Sequence, residues 1–135
     1  NFYVGNLGRF PITVGSSKIL KITPFGQVTT FATGFTTVLG LAFDHEGRLY
    51  VLENTTAAGN AFPTPGTGKI LRIDHSGRVE EIASGLFLPT AMTFGEDGNL
   101  YVSNVGFGPT PLGGGEVLKI TVRGEGERQR VGGRR

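Results

Sequence analysis

The sequence contains no cysteine, which excludes disulfide bonds, a thiol nucleophile and zinc–thiolate sites. It also lacks any run approaching the roughly 18 apolar residues of a membrane-spanning helix, so we expect no membrane span. A phosphate-binding loop, a GxGxxG pattern and a nucleophile elbow are absent too, which leaves phosphate and dinucleotide chemistry without support. We therefore predict no catalytic residues of these kinds.

Charge of either sign is scarce. Thirteen lysines and arginines stand against eleven acidic residues, for a formal net charge of +2. Part of the basic excess lies between Arg128 and Arg135, where no aromatic residues alternate with the arginines as nucleic-acid binding would favour. We interpret residues 123–135 as a solvated basic tail and expect no nucleic-acid partner.

Glycine (23) and proline (7) are abundant and stand at turn positions between short apolar runs, a composition typical of turn-rich β-proteins. One unit recurs without a gap. Residues 40–53 read GLAFDHEGRLYVLE, residues 91–104 read AMTFGEDGNLYVSN, and a truncated copy, NFYVGN, occupies residues 1–6. Internal repetition at this period is typical of propellers and solenoids.

The repeat predicts an all-β fold, a segment of a β-propeller with about 2.5 to 3 four-stranded antiparallel blades. The predicted divisions are a partial blade at 1–37, a blade at 38–88 and a blade at 89–122. A β-sandwich also has evenly spaced strands, but it does not require one unit to recur so faithfully. Complete propellers have four to eight blades, so we expect missing sequence or other chains to complete the ring.

Strands A to D of the complete blade, counted from the axis outward, are predicted at residues 39–43, 49–53, 69–73 and 79–83. The first blade lacks strand A, and strand D of the last blade is weak. Antiparallel order places the A–B and C–D turns on one side of the sheets, called here the tight-turn side. The B–C and D–A connections then lie on the opposite, long-loop side.

The stretches LAFDxxGRLYV and ILRIDxxGxV resemble the NHL and SMP-30-like propellers. The order of Phe2-Tyr-Val-Gly-x-Leu-x-x-Phe-Pro11, Ala32-Thr-Gly-Phe35 and Tyr101-Val-Ser-Asn104 with GEVLKI is most similar to the C-terminal half of the ScyD/ScyE family, over about residues 2–122. This resemblance implies a six-bladed type of propeller that is extracellular or periplasmic. It carries over no established catalytic residues.

Asn6, Glu53 and Asn104 align with one another, each at the end of a strand B. If the ring closes, their oxygens approach the mouth of the central channel, and oxygen donors are what calcium prefers. The resemblance to SMP-30-like lactonases, which hold a metal with Asn, Asp and Glu, implies an alternative function as a metal-dependent hydrolase, lactonase or lyase. The other interpretation is that these side chains cap strand ends by bonding loop amides.

Two proline-stiffened loops on the long-loop side form a second candidate site. Phe62 and Pro63 in one loop, with Phe107 and Pro109 in the other, are expected to bind a small apolar ligand or another protein, unless the rings fold back over the blades. The leading hypothesis is therefore a non-catalytic binding or assembly scaffold that other copies or companion chains complete.

His45 and His75 each follow an aspartate and precede a glycine by two residues, as expected of hairpin turns. We interpret both as exposed turn residues on the tight-turn side, with a metal or acid–base role as the alternative.

Overall fold

The computed structural model describes residues 1–58, 64–106 and 114–122. Ten β-strands make up the regular secondary structure of this part, which contains no helix that could cross a membrane. The strands are β1 (Phe2–Gly5), β2 (Ser17–Ile22), β3 (Val28–Phe35), β4 (Val38–Phe43), β5 (Leu49–Glu53), β6 (Gly68–Ile73), β7 (Val79–Leu86), β8 (Ala91–Phe94), β9 (Leu100–Asn104) and β10 (Glu116–Ile120).

The strands form three successive antiparallel sheets. Sheet 1 has the order β1-β2-β3, sheet 2 the order β4-β5-β6-β7, and sheet 3 the order β8-β9-β10. In the described residues no sheet closes into a barrel, and within each sheet every strand pairs with its neighbours along the chain. The prediction of an all-β propeller segment is confirmed, with sheets of three, four and three strands in the described residues.

Sheet 2 is covered on both faces because side chains alternate along each strand. Leu49 and Val51 of β5 belong to the apolar layer shared with sheet 1, whereas Tyr50 and Leu52 belong to the layer shared with sheet 3. All four side chains are at most 1% exposed. Burying a side chain of this size stabilises the fold by about 1.5–3 kcal/mol, so the two layers hold the three sheets together.

The same ring contact recurs between successive sheets. Tyr3 of sheet 1 meets Phe43 of sheet 2 edge-on at 4.9 Å between centroids, and Tyr50 meets Phe94 of sheet 3 at the same distance. These residues occupy equivalent positions in the repeat. The sequence repeat is thus matched by a repeat in packing.

The Asp-x-x-Gly turns are closed by their own polar groups. Asp44 Oδ1 accepts the N–H of Glu46 and of Arg48, both at 2.9 Å, and Asp44 O accepts the N–H of Gly47 at 3.0 Å. Gly47 has a φ of 81°, a value that glycine adopts without steric cost. These residue types therefore specify the hairpin.

The outer strands are longer than the sequence predicts. Strand D of the complete blade is predicted to end at residue 83, but β7 continues to Leu86, and its counterpart β3 continues to Phe35. Register shifts interrupt both ladders, next to Gly34 at φ 89° and Gly85 at φ 71°. These bulges return Phe35 and Leu86 to the ladder, where both side chains are buried in the core.

Candidate functional site

The polar residues at the ends of the B strands hold loop backbone in place. Glu53 closes β5, is 4% exposed, and accepts the N–H of Thr36 through Oε2 at 2.7 Å. Thr36 lies in the connection from β3 to β4. The carboxylate therefore joins the end of a B strand to the D–A connection that precedes its own sheet.

Asn104 makes the equivalent bond one repeat later. Its Oδ1 accepts the N–H of Phe87 at 3.0 Å, in the connection from β7 to β8, and its Nδ2 donates to Glu116 Oε1 at 3.3 Å. Asn6 is exposed, and its Oδ1 accepts the N–H of Lys18 at 2.7 Å. All three aligned side chains therefore accept a backbone N–H, which comes from a D–A connection for Glu53 and Asn104 and from strand β2 for Asn6.

The pKa of Glu53 is raised above its ordinary value of 4.5. Burial is the main cause, because it disfavours the charged form. The bond from Thr36 N–H and the positive charge of Lys69 oppose this shift without cancelling it. Ionising Glu53 therefore costs more in the folded protein than in the unfolded chain.

Further bonds fasten the long-loop side of sheet 2. Thr37 Oγ1 donates to Thr55 O at 2.6 Å and accepts the N–H of Thr55 at 2.9 Å. Asn54 N–H donates to Thr37 O at 3.0 Å, and Asn54 Nδ2 donates to Pro89 O at 2.8 Å, which ties sheet 2 to the connection entering sheet 3. Asn54 is fully buried, and its Oδ1 has no partner in the described part of the chain.

In the described part of the chain the predicted calcium residues do not belong to a cluster of several acidic side chains, although Asn104 bonds Glu116. Among residues 1–58, 64–106 and 114–122, no group of three or more His, Cys, Asp or Glu side chains is arranged to hold a metal ion. One oxygen each of Asn6, Glu53 and Asn104 is already engaged by a backbone N–H. The calcium site stays a prediction.

The predicted ligand-binding residues Phe62, Pro63, Phe107 and Pro109 lie outside the described residues. The base of the first loop is described and is held by threonines. Thr55 Oγ1 and Thr67 Oγ1 share a hydrogen bond of 2.8 Å, and Thr56 Oγ1 donates to Thr67 O at 2.8 Å. Both ends of this long loop are thus fixed to the sheet.

A shallow polar cavity of about 350 Å³ lies on the tight-turn side of sheet 2 and involves both turns. Arg48 Nε bonds Asp44 Oδ2 at 2.8 Å and its guanidinium also reaches Glu46 at 3.2 Å. Burial would raise the pKa of Asp44, but the bonds from the Arg48 backbone and side chain outweigh it and leave this pKa lowered. His75 Nε2, in the C–D turn, lies 2.7 Å from Glu46 O in the A–B turn. His45 is exposed in that A–B turn.

A polar cluster between sheets 2 and 3 was missed by the sequence interpretation. Arg72, 2% exposed, bonds Tyr50 Oη at 3.2 Å and Glu80 Oε1 at 3.0 Å. Burial would lower the pKa of Arg72, but these two partners raise it. The signal in the sequence is the tyrosine of strand B, which stands opposite Lys or Arg of strand C in every sheet, in the pairs Tyr3–Lys21, Tyr50–Arg72 and Tyr101–Lys119.

Comparisons of the chain with protein-family models, with curated proteins and with solved structures found no match. The class of the protein therefore follows from its own architecture, which is a β-propeller segment of three serial antiparallel sheets.

Proposed function

We propose that this chain is a non-catalytic, extracytoplasmic β-propeller segment that acts as a binding or assembly scaffold, with the long-loop side as its recognition surface. The observation that carries this proposal is the repeated use of polar side chains as backbone anchors on that side. Glu53 and Asn104 fix the D–A connections, and the threonines fix the base of the first long loop. Rigidly held stems present loops at a low entropic cost on binding.

The open outer faces of the terminal sheets support the assembly role. Phe2 of β1 is 71% exposed, whereas its equivalent in the middle sheet, Leu49, is 1% exposed. Val117 of β10 is also 71% exposed, whereas its equivalent Ile70 is fully buried. Apolar sheet faces of this kind are typical of surfaces that another protein layer covers. The two terminal sheets thus expose apolar side chains at positions where the middle sheet buries them.

The resemblance to the ScyD/ScyE family supports an extracellular or periplasmic location. The phenylalanines and prolines of the two long loops, Phe62, Pro63, Phe107 and Pro109, support an apolar small molecule or another protein as the occupant of those loops. The partners that cover the outer faces are, on this proposal, other copies or companion chains that complete the propeller.

Light scattering coupled to size exclusion tests the assembly role. We expect a mass above that of the 14.3 kDa chain, with a fall toward the monomer mass when Phe2 and Val117 are both replaced by lysine. Because both side chains are exposed, the double variant should keep its β-sheet circular dichroism. A monomer at every concentration up to several hundred micromolar would contradict the assembly proposal.

A further inference from the structure

One edge of β1 is unpaired in the described residues. Sheet 1 has the order β1-β2-β3, so β1 pairs only with β2. The equivalent strands β5 and β9 pair on both edges, the inner edge being taken by β4 and by β8. The backbone N–H and C=O groups along the inner edge of β1 thus lack the strand that their counterparts have.

A groove of about 460 Å³ runs along this edge, between β1 and β4. We call it the β1 groove, and it is lined by Tyr3, Val4, Gly5, Leu7, Val38, Leu39, Gly40 and Leu41. The edge of β1 supplies hydrogen-bonding groups, while β4 supplies an apolar floor on which Leu39 is 39% exposed. One end of the groove is closed, because a Cβ on Gly5 would collide with the side chain of Val38.

The next pair of sheets shows how such a floor is covered. Leu41 of β4 is equivalent to Met92 of β8, and Met92 lies under β4. A Cβ built on Gly40 would stand 3.7 Å from Met92 Cγ, so a small residue of the inner strand packs over the apolar residue of the following sheet. The same relation predicts a small residue over Leu41.

We propose that the β1 groove binds an extended polypeptide segment from outside these 135 residues, which adds to β1 as an antiparallel strand. The inference rests on the proposed scaffold function and names the chemistry of one partner. Main-chain hydrogen bonds to the edge of β1 supply affinity, and alternate side chains facing β4 supply specificity. The interface continues a pairing that the chain already makes twice, between β4 and β5 and between β8 and β9.

The chain's own inner strands define the sequence that fits. Their shared four-residue pattern is a small residue, Leu or Met, Ala or Thr, and Phe, found at residues 40–43 and 91–94. In both sheets the last three of these pair with the first three residues of the B strand in reverse order. On β1 the incoming residues would therefore stand opposite Val4, Tyr3 and Phe2.

No other part of the sequence offers this pattern. Residues 123–135 contain a single apolar side chain, Val131, and residues 59–63 and 107–113 are rich in glycine and proline. The two segments that match are already the inner strands of sheets 2 and 3. The occupant must therefore come from sequence beyond this chain.

Fluorescence polarisation with a labelled peptide of residues 37–44, TVLGLAFD, tests strand addition to the full 135-residue protein. We expect saturable binding, a rise in the melting temperature of the protein, and no binding of a scrambled peptide. Two further peptides carry N-methyl groups at alternate residues, the first at the odd positions and the second at the even positions. Because alternate N–H groups of a strand point to opposite edges, one set should weaken binding about tenfold or more and the other should leave it nearly unchanged.

Leu39→Glu places a charge on the floor of the groove and should weaken peptide binding about tenfold. The matched control is Val79→Glu on the outermost strand β7, where the side chain is 50% exposed, and it should bind the peptide as the wild type does. No saturable binding, equal loss with both N-methylated sets, or tighter binding by Leu39→Glu through displacement of β4 would each overturn the proposal.

A second copy as the occupant of the groove would also overturn the proposal. It would be seen as self-association of the protein in an experiment in which the peptide neither binds nor reverses that association. Assembly is read from mass and strand addition from peptide binding. A monomer that binds the peptide therefore contradicts only the assembly role, and an oligomer that ignores the peptide contradicts only the strand-addition site.

Discussion

Replacing Glu53 separates its role as a backbone acceptor from a role as a metal ligand. Glu53→Gln keeps a side-chain oxygen for the Thr36 N–H and removes the charge, whereas Glu53→Leu removes the acceptor. Thr36 is only 3% exposed, so its N–H would find no water in the leucine variant. An unsatisfied buried donor costs about 1–3 kcal/mol. We expect Glu53→Leu to lose stability of this order and Glu53→Gln to lose little or none at pH 7.

The pH dependence gives the sign of the charge effect. Because the pKa of Glu53 is raised in the folded protein, the folded state holds this proton more tightly than the unfolded chain does. The stability that Glu53 contributes is therefore fully present below pH 4.5, its ordinary value, and is lost as pH rises through the raised pKa. As pH rises from 4.5 through the raised pKa, the wild type loses this contribution and Glu53→Gln does not, so the stability of the variant should increase relative to that of the wild type.

Urea unfolding of the three proteins, followed by circular dichroism at pH 4, 5.5 and 7 with and without calcium, provides the measurement. Equal destabilisation of the glutamine and leucine variants would refute the acceptor role. A calcium-dependent rise in the free energy of unfolding of the wild type that Glu53→Gln abolishes would show that the metal site is real and that capping alone does not describe this residue.

Four other substitutions test the repeat elsewhere. Arg72→Met should cost about 2–3 kcal/mol in urea unfolding, because it leaves a buried tyrosine hydroxyl and a carboxylate without the guanidinium that bonds them. The Tyr101 hydroxyl bonds Asp97 and holds the pKa of that carboxyl well below 3.8. Tyr101→Phe should therefore raise the pKa of Asp97 in an NMR titration, and an unchanged value would exclude the bond as the cause of the lowered pKa. Gly47→Ala and Gly98→Ala both place alanine at a φ of 81° and should each cost about 1 kcal/mol. The cost at Gly47 should be the larger, because the added Cβ would stand 3.2 Å from the imidazole of His75. A smaller loss of stability at Gly47 than at Gly98 would contradict this.

Local sequence determined the strands and their turns. The inner and middle strands of sheet 2 begin and end within one residue of their predicted bounds, because the alternation of apolar residues and the Asp-x-x-Gly turns act over a few residues. The repeat also located Glu53 and Asn104, since equivalent positions in a repeat occupy equivalent places in its sheets. The bulges that lengthen β3 and β7 depend on pairing with another strand, so the local pattern did not reveal them.

Tertiary packing decided what the side chains do. The sequence left Glu53 between metal ligand and strand cap, and only the position of the Thr36 N–H, brought 2.7 Å from its carboxylate by the packing of sheet 1 on sheet 2, shows it as a backbone acceptor. The burial of Arg72 and the groove beside β1 likewise arise from residues far apart in the chain. Strand identity is a property of neighbouring residues, whereas burial, pairing partners and open edges depend on how whole sheets stack.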